Sequence, residues 1–192
     1  MRLAAAAFLI LAAFLGAMML SQDQLLFPTE AVPAAGPLPP GAEQIEARTD
    51  KGDTLRGVHI QPAGGVEGTN LLVLGFGGNA WNGQHVAEYL HEAFPQSHVI
   101  AFHYRGYRPS TGRPSAGALL EDAPLLLRAA KARVKPNRTV AVGFSIGSGV
   151  AASLAAQEVD GLILVTPFDS LKAVAAGLYP WLPIGPFFRH EI

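Results

Sequence analysis

Apolar positions divide the chain into an N-terminal block, a Pro-rich interval and a long region where strand and helix signals alternate. Short runs from Glu43 to Thr49 and from Leu55 to Gln61 flank Asp50-Lys51-Gly52-Asp53 and read as a hairpin around a turn. Asn70-Leu71-Leu72-Val73-Leu74 is continuously apolar, the pattern of a strand buried on both faces. The glycine-rich stretch GFGGNAWNG then leads into helical spacing from Gln84 to Phe94, and Ser97 to Tyr104 gives another strand. Helical spacing returns from Ser115 to Lys131, with basic residues in the last turn where the helix dipole favours them. Thr139 to Phe144 reads as a strand, Ile146 to Gln157 as a helix, Gly161 to Thr166 as a strand and Ser170 to Leu178 as a helix.

A hairpin followed by alternating strands and helices predicts an α/β fold, with a mostly parallel sheet and helices on both faces. In such sheets, sites form beyond the carboxyl ends of the strands. Three unusual segments fall at such ends: GFGGNAWN, HYRGYRPSTGRPS and GFSIGSG.

The N-terminal block, MRLAAAAFLILAAFLGAMML, carries no charge from Leu3 to Leu20. As a helix it would reach about 27 Å, close to a ~30 Å hydrocarbon core. It reads as an uncleaved membrane anchor over residues 1–22, as a cleaved signal peptide, or as a buried core helix. Ala17-Met18-Met19 and Leu20-Ser21-Gln22 offer no clean small-x-small cleavage site, which favours the anchor. Arg2 kept inside would place the remainder on the extracytoplasmic side; cleavage would leave it secreted or periplasmic. Residues 23–40, with PTEAVPAAGPLPP from Pro28 to Pro40, lack periodicity and read as a linker. One domain is expected over residues 41–192.

Composition narrows the function. Hydrophobic residues make up 49% of the 192 and charged residues 15%, enough apolar material to bury a core. A formal net charge of -1 lacks the basic field of a nucleic-acid binder. The absence of Cys excludes disulfides, thiolate zinc sites and a Cys nucleophile.

Ser145 is the main chemical candidate. It sits in a Gly-x-Ser-x-Gly frame where a strand signal meets a helix signal, and a sharp turn there would expose its hydroxyl. Gly143 and Gly147 would allow strand and helix to pack closely at that elbow. On residues alone, Ser145 could instead cap a helix in a close-packed turn. The glycine loop at residues 75–78 could supply backbone donors to a substrate, form a flexible turn, or bind phosphate, though no Lys-Ser/Thr follows it.

Taken together, the segments resemble the alpha/beta-hydrolase superfamily, and more narrowly its membrane-anchored, single-span serine hydrolase branch. QLLFP at 24–28, GFGGNAWN, YRGYRPSTGRPS at 104–115 and TPFDSL at 166–171 carry the resemblance. It implies attack by Ser145 on an ester, thioester or amide carbonyl of a small-molecule acyl substrate, through an acyl-enzyme and without a cofactor or metal. It also implies an oxyanion hole formed by the Asn79 and Ile146 N–H groups. In that branch the glycine loop usually reads His-Gly-Asn-Ala-Gly-Asn. Here Gly77 stands in place of the His, which weakens the bracing of the loop and removes no donor, and Trp81 also departs.

The resemblance further implies that an acid and then a His follow the serine along the chain. After Ser145 come one strand signal, a helical piece and the tail LYPWLPIGPFFRHEI, with no further strand. The sheet is therefore expected to lack its last strands and to expose an edge. Asp169, just past a strand end, and His190, in the tail, are the substitute candidates; Asp169 could equally cap the following helix. Among the other histidines, His103 ends a strand and could line the pocket. Arg105, Arg108 and Arg113 crowd the loop beside it, to brace it or to bind an anion. The alternative function is a catalytically inactive, membrane-tethered binding module.

Overall fold

The computed structural model describes residues 26–64, 70–157 and 159–178, together with residues 6, 9, 10 and 12–17 near the N-terminus. The strands are β1 (Ala42–Arg48), β2 (Thr54–Ile60), β3 (Leu71–Phe76), β4 (His98–Phe102), β5 (Arg138–Phe144) and β6 (Gly161–Val165). The helices are α1 (Gly83–Ala93), α2 (Ala116–Val134), α3 (Ile146–Ala152) and α4 (Leu171–Leu178). The expected elements are all present, with ends displaced by a few residues; α3 is shorter than its apolar pattern suggested and gives way to turns after Ala152.

Six strands form one sheet in the order β1-β2-β4-β3-β5-β6. The β1–β2 hairpin is antiparallel, β2 joins β4 antiparallel, and β4, β3, β5 and β6 run parallel. This is the expected alpha/beta-hydrolase fold class. The central strand β3 is buried on both faces because Leu72, Leu74 and Phe76 point to one side and Val73 to the other. The first side packs against Leu119, Ala123, Leu126 and Leu127 of α2 and Ile146 and Val150 of α3. The second packs against Val86, Ala87 and Leu90 of α1. Helix starts follow the polar residues before them: Asn82 accepts from His85 N at 2.9 Å, and Ser115 accepts from Ala118 N at 3.1 Å.

Among the described residues the sheet ends at β6, whose Leu162, Ile163, Leu164 and Val165 are each 36–39% exposed. Both faces of this strand are thus open, unlike those of β3. At the opposite edge, His59 on β2 bonds Glu43 of β1 through Nδ1 at 2.6 Å and His98 of β4 through Nε2 at 3.0 Å. Arg133 from the last turn of α2 also pairs with Glu43, so one member of the basic run ties α2 to the hairpin.

The Pro-rich interval does more than connect. Phe27 is buried in the α2 side of the core, with Leu26 and Val32 packed beside it. Further along, Pro33 O accepts from Asn82 Nδ2 at 3.0 Å and Pro37 O from Gln84 Nε2 at 2.9 Å. Residues 27–37, part of the interval read as a linker, therefore strap the start of α1. Proline carbonyls remain good acceptors although proline nitrogen donates nothing, so a Pro-rich strand can still be anchored. The expected anchor, residues 1–22, lies largely outside the described residues. Among the described residues, no helix is long and apolar enough to cross a membrane.

Burial of Phe27 in the core makes a definite demand on stability. Phe27→Ala should lower the unfolding free energy by about 3–5 kcal/mol in urea denaturation. Leu38→Ala, just past the strap and 41% exposed, should change it by less than about 0.5 kcal/mol. Equal effects of the two would show that the strap does not dock.

Candidate active site

Ser145 is the junction between β5 and α3, half-buried, with φ 53 and ψ −118. A serine held at positive φ is strained by about 1–3 kcal/mol, and such strain persists only where neighbours over-determine it. The neighbours here are strand β6 and the helix itself. Ser145 N donates to Val165 O at 2.9 Å, and Ser148 Oγ lies 3.0 Å from Gly143 O and 3.1 Å from Val165 O. Ser148 N closes the first turn onto Ser145 O at 2.8 Å. Ser148 drew no attention in the sequence, although its spacing three residues after Ser145 is that of a first-turn side chain.

The two elbow glycines have no room for a side chain. A Cβ on Gly143 would lie 2.2 Å from Gly147 O, and a Cβ on Gly147 would lie 2.2 Å from Phe76 O and 2.5 Å from Gly77 O. The elbow therefore presses directly on the backbone at the end of β3, where the glycine loop begins. A Cβ on Gly78 would lie 3.8 Å from Ser145 Cβ, so this loop faces the serine. Ile146 is the first residue of α3, and an N–H at that position has no intrahelical acceptor. Gly143, Gly147, Ser145 and Ile146 are thus brought together with Gly77 and Gly78 at the carboxyl ends of β3 and β5; Asn79 follows Gly78 in the same loop.

Gly77 lies close against α1. A Cβ at this position would lie 2.8 Å from Val86 Cγ2, so the side chain of a His would collide with α1. The loop is instead held from the far side: Tyr104 OH donates to Gly77 O at 2.7 Å, and Tyr107 OH donates to Asn79 O. Both rings are buried. Neither tyrosine stood out in the sequence, because the loop that carries them has no periodicity to read.

His103 is buried at the end of β4, where its Nδ1 accepts from Gly83 N at 3.2 Å. It supports the start of α1. Burial, with a smaller contribution from His85, lowers its pKa to about 4. Arg105 is also buried and braces the loop: Nε donates to Asp122 Oδ2 at 3.0 Å, Nη2 binds Asp122 Oδ1, and Nη1 reaches Asp53 Oδ2 at 3.3 Å. Arg108 and Arg113 are exposed.

The substitute acid and base are not drawn to the serine. Asp169 is exposed in the turn after β6. The helix cap expected of it is made by its neighbour, since Ser170 Oγ accepts from Ala173 N at 3.0 Å. The shorter serine side chain brings its oxygen back onto the N–H three residues ahead. His190 lies outside the described residues. Among the described residues, no His or carboxylate hydrogen-bonds Ser145, and no group of three His, Asp or Glu side chains could hold a metal ion.

The parallel sheet and its strained serine turn define the class to which the molecule belongs. A family model described as alpha/beta hydrolase fold matches residues 71–188, and the chain belongs to that family. An uncharacterized protein of Mycobacterium tuberculosis is 35% identical over 164 residues, covering 79% of this chain and 57% of the relative. Lysophosphatidylserine lipase ABHD12 of Danio rerio is 34% identical over 97 residues, covering 45% of this chain and 25% of that protein. Among solved structures, an alpha-beta hydrolase from Vibrio vulnificus superposes with a TM-score of 0.66 at 22% identity, over 81% of this chain and 60% of that one. An esterase from Pyrococcus furiosus gives a TM-score of 0.58 at 22% identity, over 81% and 63%. The chain thus spans less than two thirds of each of these proteins.

The histidines set an acid limit on the fold. An unfolded chain protonates its histidines near pH 6.5, whereas folded His103 stays neutral to about pH 4. Burial lowers the pKa of His59 and His98 as well. Each contribution is whole above about pH 6.5 and shrinks as the pH falls from there through the folded value. Urea midpoints should therefore drop between pH 7 and pH 4.5, and His103→Gln should flatten part of that slope. A slope unchanged by the substitution would contradict the burial of a neutral His103.

Proposed function

We propose that the protein is a serine hydrolase in which Ser145 attacks an acyl carbonyl. The observation that carries this reading is the strained Ser145 backbone, held between two glycines that admit no side chain and facing a glycine loop. On this reading the hydroxyl is presented to the substrate at the turn, with the N–H groups of Ile146 and of the glycine loop as its backbone donors. Attack would join Ser145 Oγ to the carbonyl carbon and move an electron pair onto the carbonyl oxygen, where Ile146 N–H and Asn79 N–H would receive it. The serine proton would pass to a general base and on to the departing alcohol. Water would then cleave the acyl-enzyme by the reverse route.

Ester carbonyls are favoured over amides, because relatives of this chain are named as a lipase and an esterase. An apolar N-terminal segment with Leu9, Ile10 and Phe14 exposed supports attachment to a membrane through residues 1–22, and Arg2 kept inside would put the domain on the extracytoplasmic side. A lipid ester would fit that placement.

A second reading, a binding module descended from hydrolases, is favoured by the lack of a His or carboxylate bonded to Ser145 among the described residues. A fluorophosphonate separates the two. The protein should gain the mass of one phosphonyl group, and Ser145→Ala should gain none. Absence of any adduct on the unaltered protein would favour the binding module.

A further inference from the structure

The oxyanion role of the glycine loop depends on where its peptide planes point. In a peptide unit the carbonyl of one residue and the N–H of the next lie in one plane and face opposite ways. Fixing a carbonyl therefore fixes the following N–H. Three successive carbonyls of the loop are held. Gly77 O accepts from Tyr104 OH at 2.7 Å, Gly78 O accepts from Trp81 N at 3.3 Å, and Asn79 O accepts from Tyr107 OH. The N–H groups of Gly78, Asn79 and Ala80 are oriented in turn.

We propose that Tyr104 and Tyr107 are positioning residues that hold the glycine loop in its oxyanion-binding conformation, replacing the bracing side chain for which Gly77 leaves no room. This rests on the reading of Ser145 as nucleophile. The two tyrosines bracket the plane that carries Asn79 N–H, which is otherwise held only by the Gly78–Trp81 turn. Their rings meet edge to face at 5.7 Å, and Tyr107 N donates to Tyr104 O at 2.9 Å, so each braces the other. The loop behind them is cross-linked by hydrogen bonds. Ser110 Oγ donates to His103 O at 2.8 Å, Gly106 N donates to Thr111 O at 2.9 Å, and Arg105 locks the segment onto Asp122. Burial raises the pKa of both phenols, so each remains a donor at any working pH.

Tyr107→Phe and Tyr104→Phe remove only the hydroxyl and keep the ring. Each is compared with the unaltered full chain at a temperature where all are fully folded by circular dichroism. Two readouts are taken: hydrogen exchange of the glycine-loop segment at Trp81, whose amide is bonded to Gly78 O, and the rate of phosphonylation by a fluorophosphonate over a range of probe concentration. Exchange should rise at least about tenfold in that segment alone, and the maximal phosphonylation rate should fall roughly tenfold at unchanged half-saturation, a fraction of what losing a whole donor costs. Unchanged exchange in both variants overturns the proposal, as does a loss of reactivity matched by loosening throughout the domain. If the unaltered protein does not react at all, the nucleophile reading falls and takes the oxyanion role with it. Loop exchange, read separately, distinguishes that failure from a failure of the clamp.

Discussion

The contact between Gly147 and the carbonyl oxygens of Phe76 and Gly77 is the constraint on which the site depends. With no space for one methyl group, α3 must start against the end of β3, and Ser145 must take the sharp turn that leads from β5 into α3. The strain of that turn is offset nearby. Ser145 N and Ser148 Oγ both reach Val165 O, so the last residue of β6 holds the elbow in place. Position 143 repeats the argument inside the turn, because its missing side chain leaves room for the Gly147 carbonyl.

Support for the serine spreads outward from this point in layers. The elbow presses on the glycine loop, the loop is held by two phenols, and the phenols sit on a segment locked by Arg105, Asp122 and Ser110. The start of α1 is held in the same way by His103 from within and by the N-terminal strap from outside. Polar groups in these contacts are paired while buried, which makes the geometry specific as well as stable. β6 differs in kind. It stabilises the elbow with its terminal carbonyl, yet its apolar side chains are open on both faces.

Much of this was legible in the residues, and the reasons for success and failure are physical. Buried parallel strands announce themselves as unbroken apolar runs, so β3 and β5 were readable from Leu71–Leu74 and Thr139–Phe144. The elbow was readable because steric exclusion leaves glycine as the only choice at positions 143 and 147. Long-range polar pairing leaves no such mark. Nothing periodic connects Tyr107 to Asn79 or Asn82 to Pro33, and a Pro-rich stretch looks the same whether it docks or hangs free. Phe27 was the available signal, since one large aromatic in a Pro-rich linker needs a place to be buried. The cap on α4 was expected at Asp169 and falls to Ser170, because both residue types accept from a helix N–H.

The structure of the phosphonylated protein tests the central claim most directly. The phosphonyl oxygen on Ser145 Oγ should lie about 2.7–3.1 Å from both Ile146 N and Asn79 N, with the loop backbone unmoved. An adduct whose oxygen points into solvent, or a loop that must rearrange to meet it, would contradict a pre-built oxyanion site between the elbow and the glycine loop.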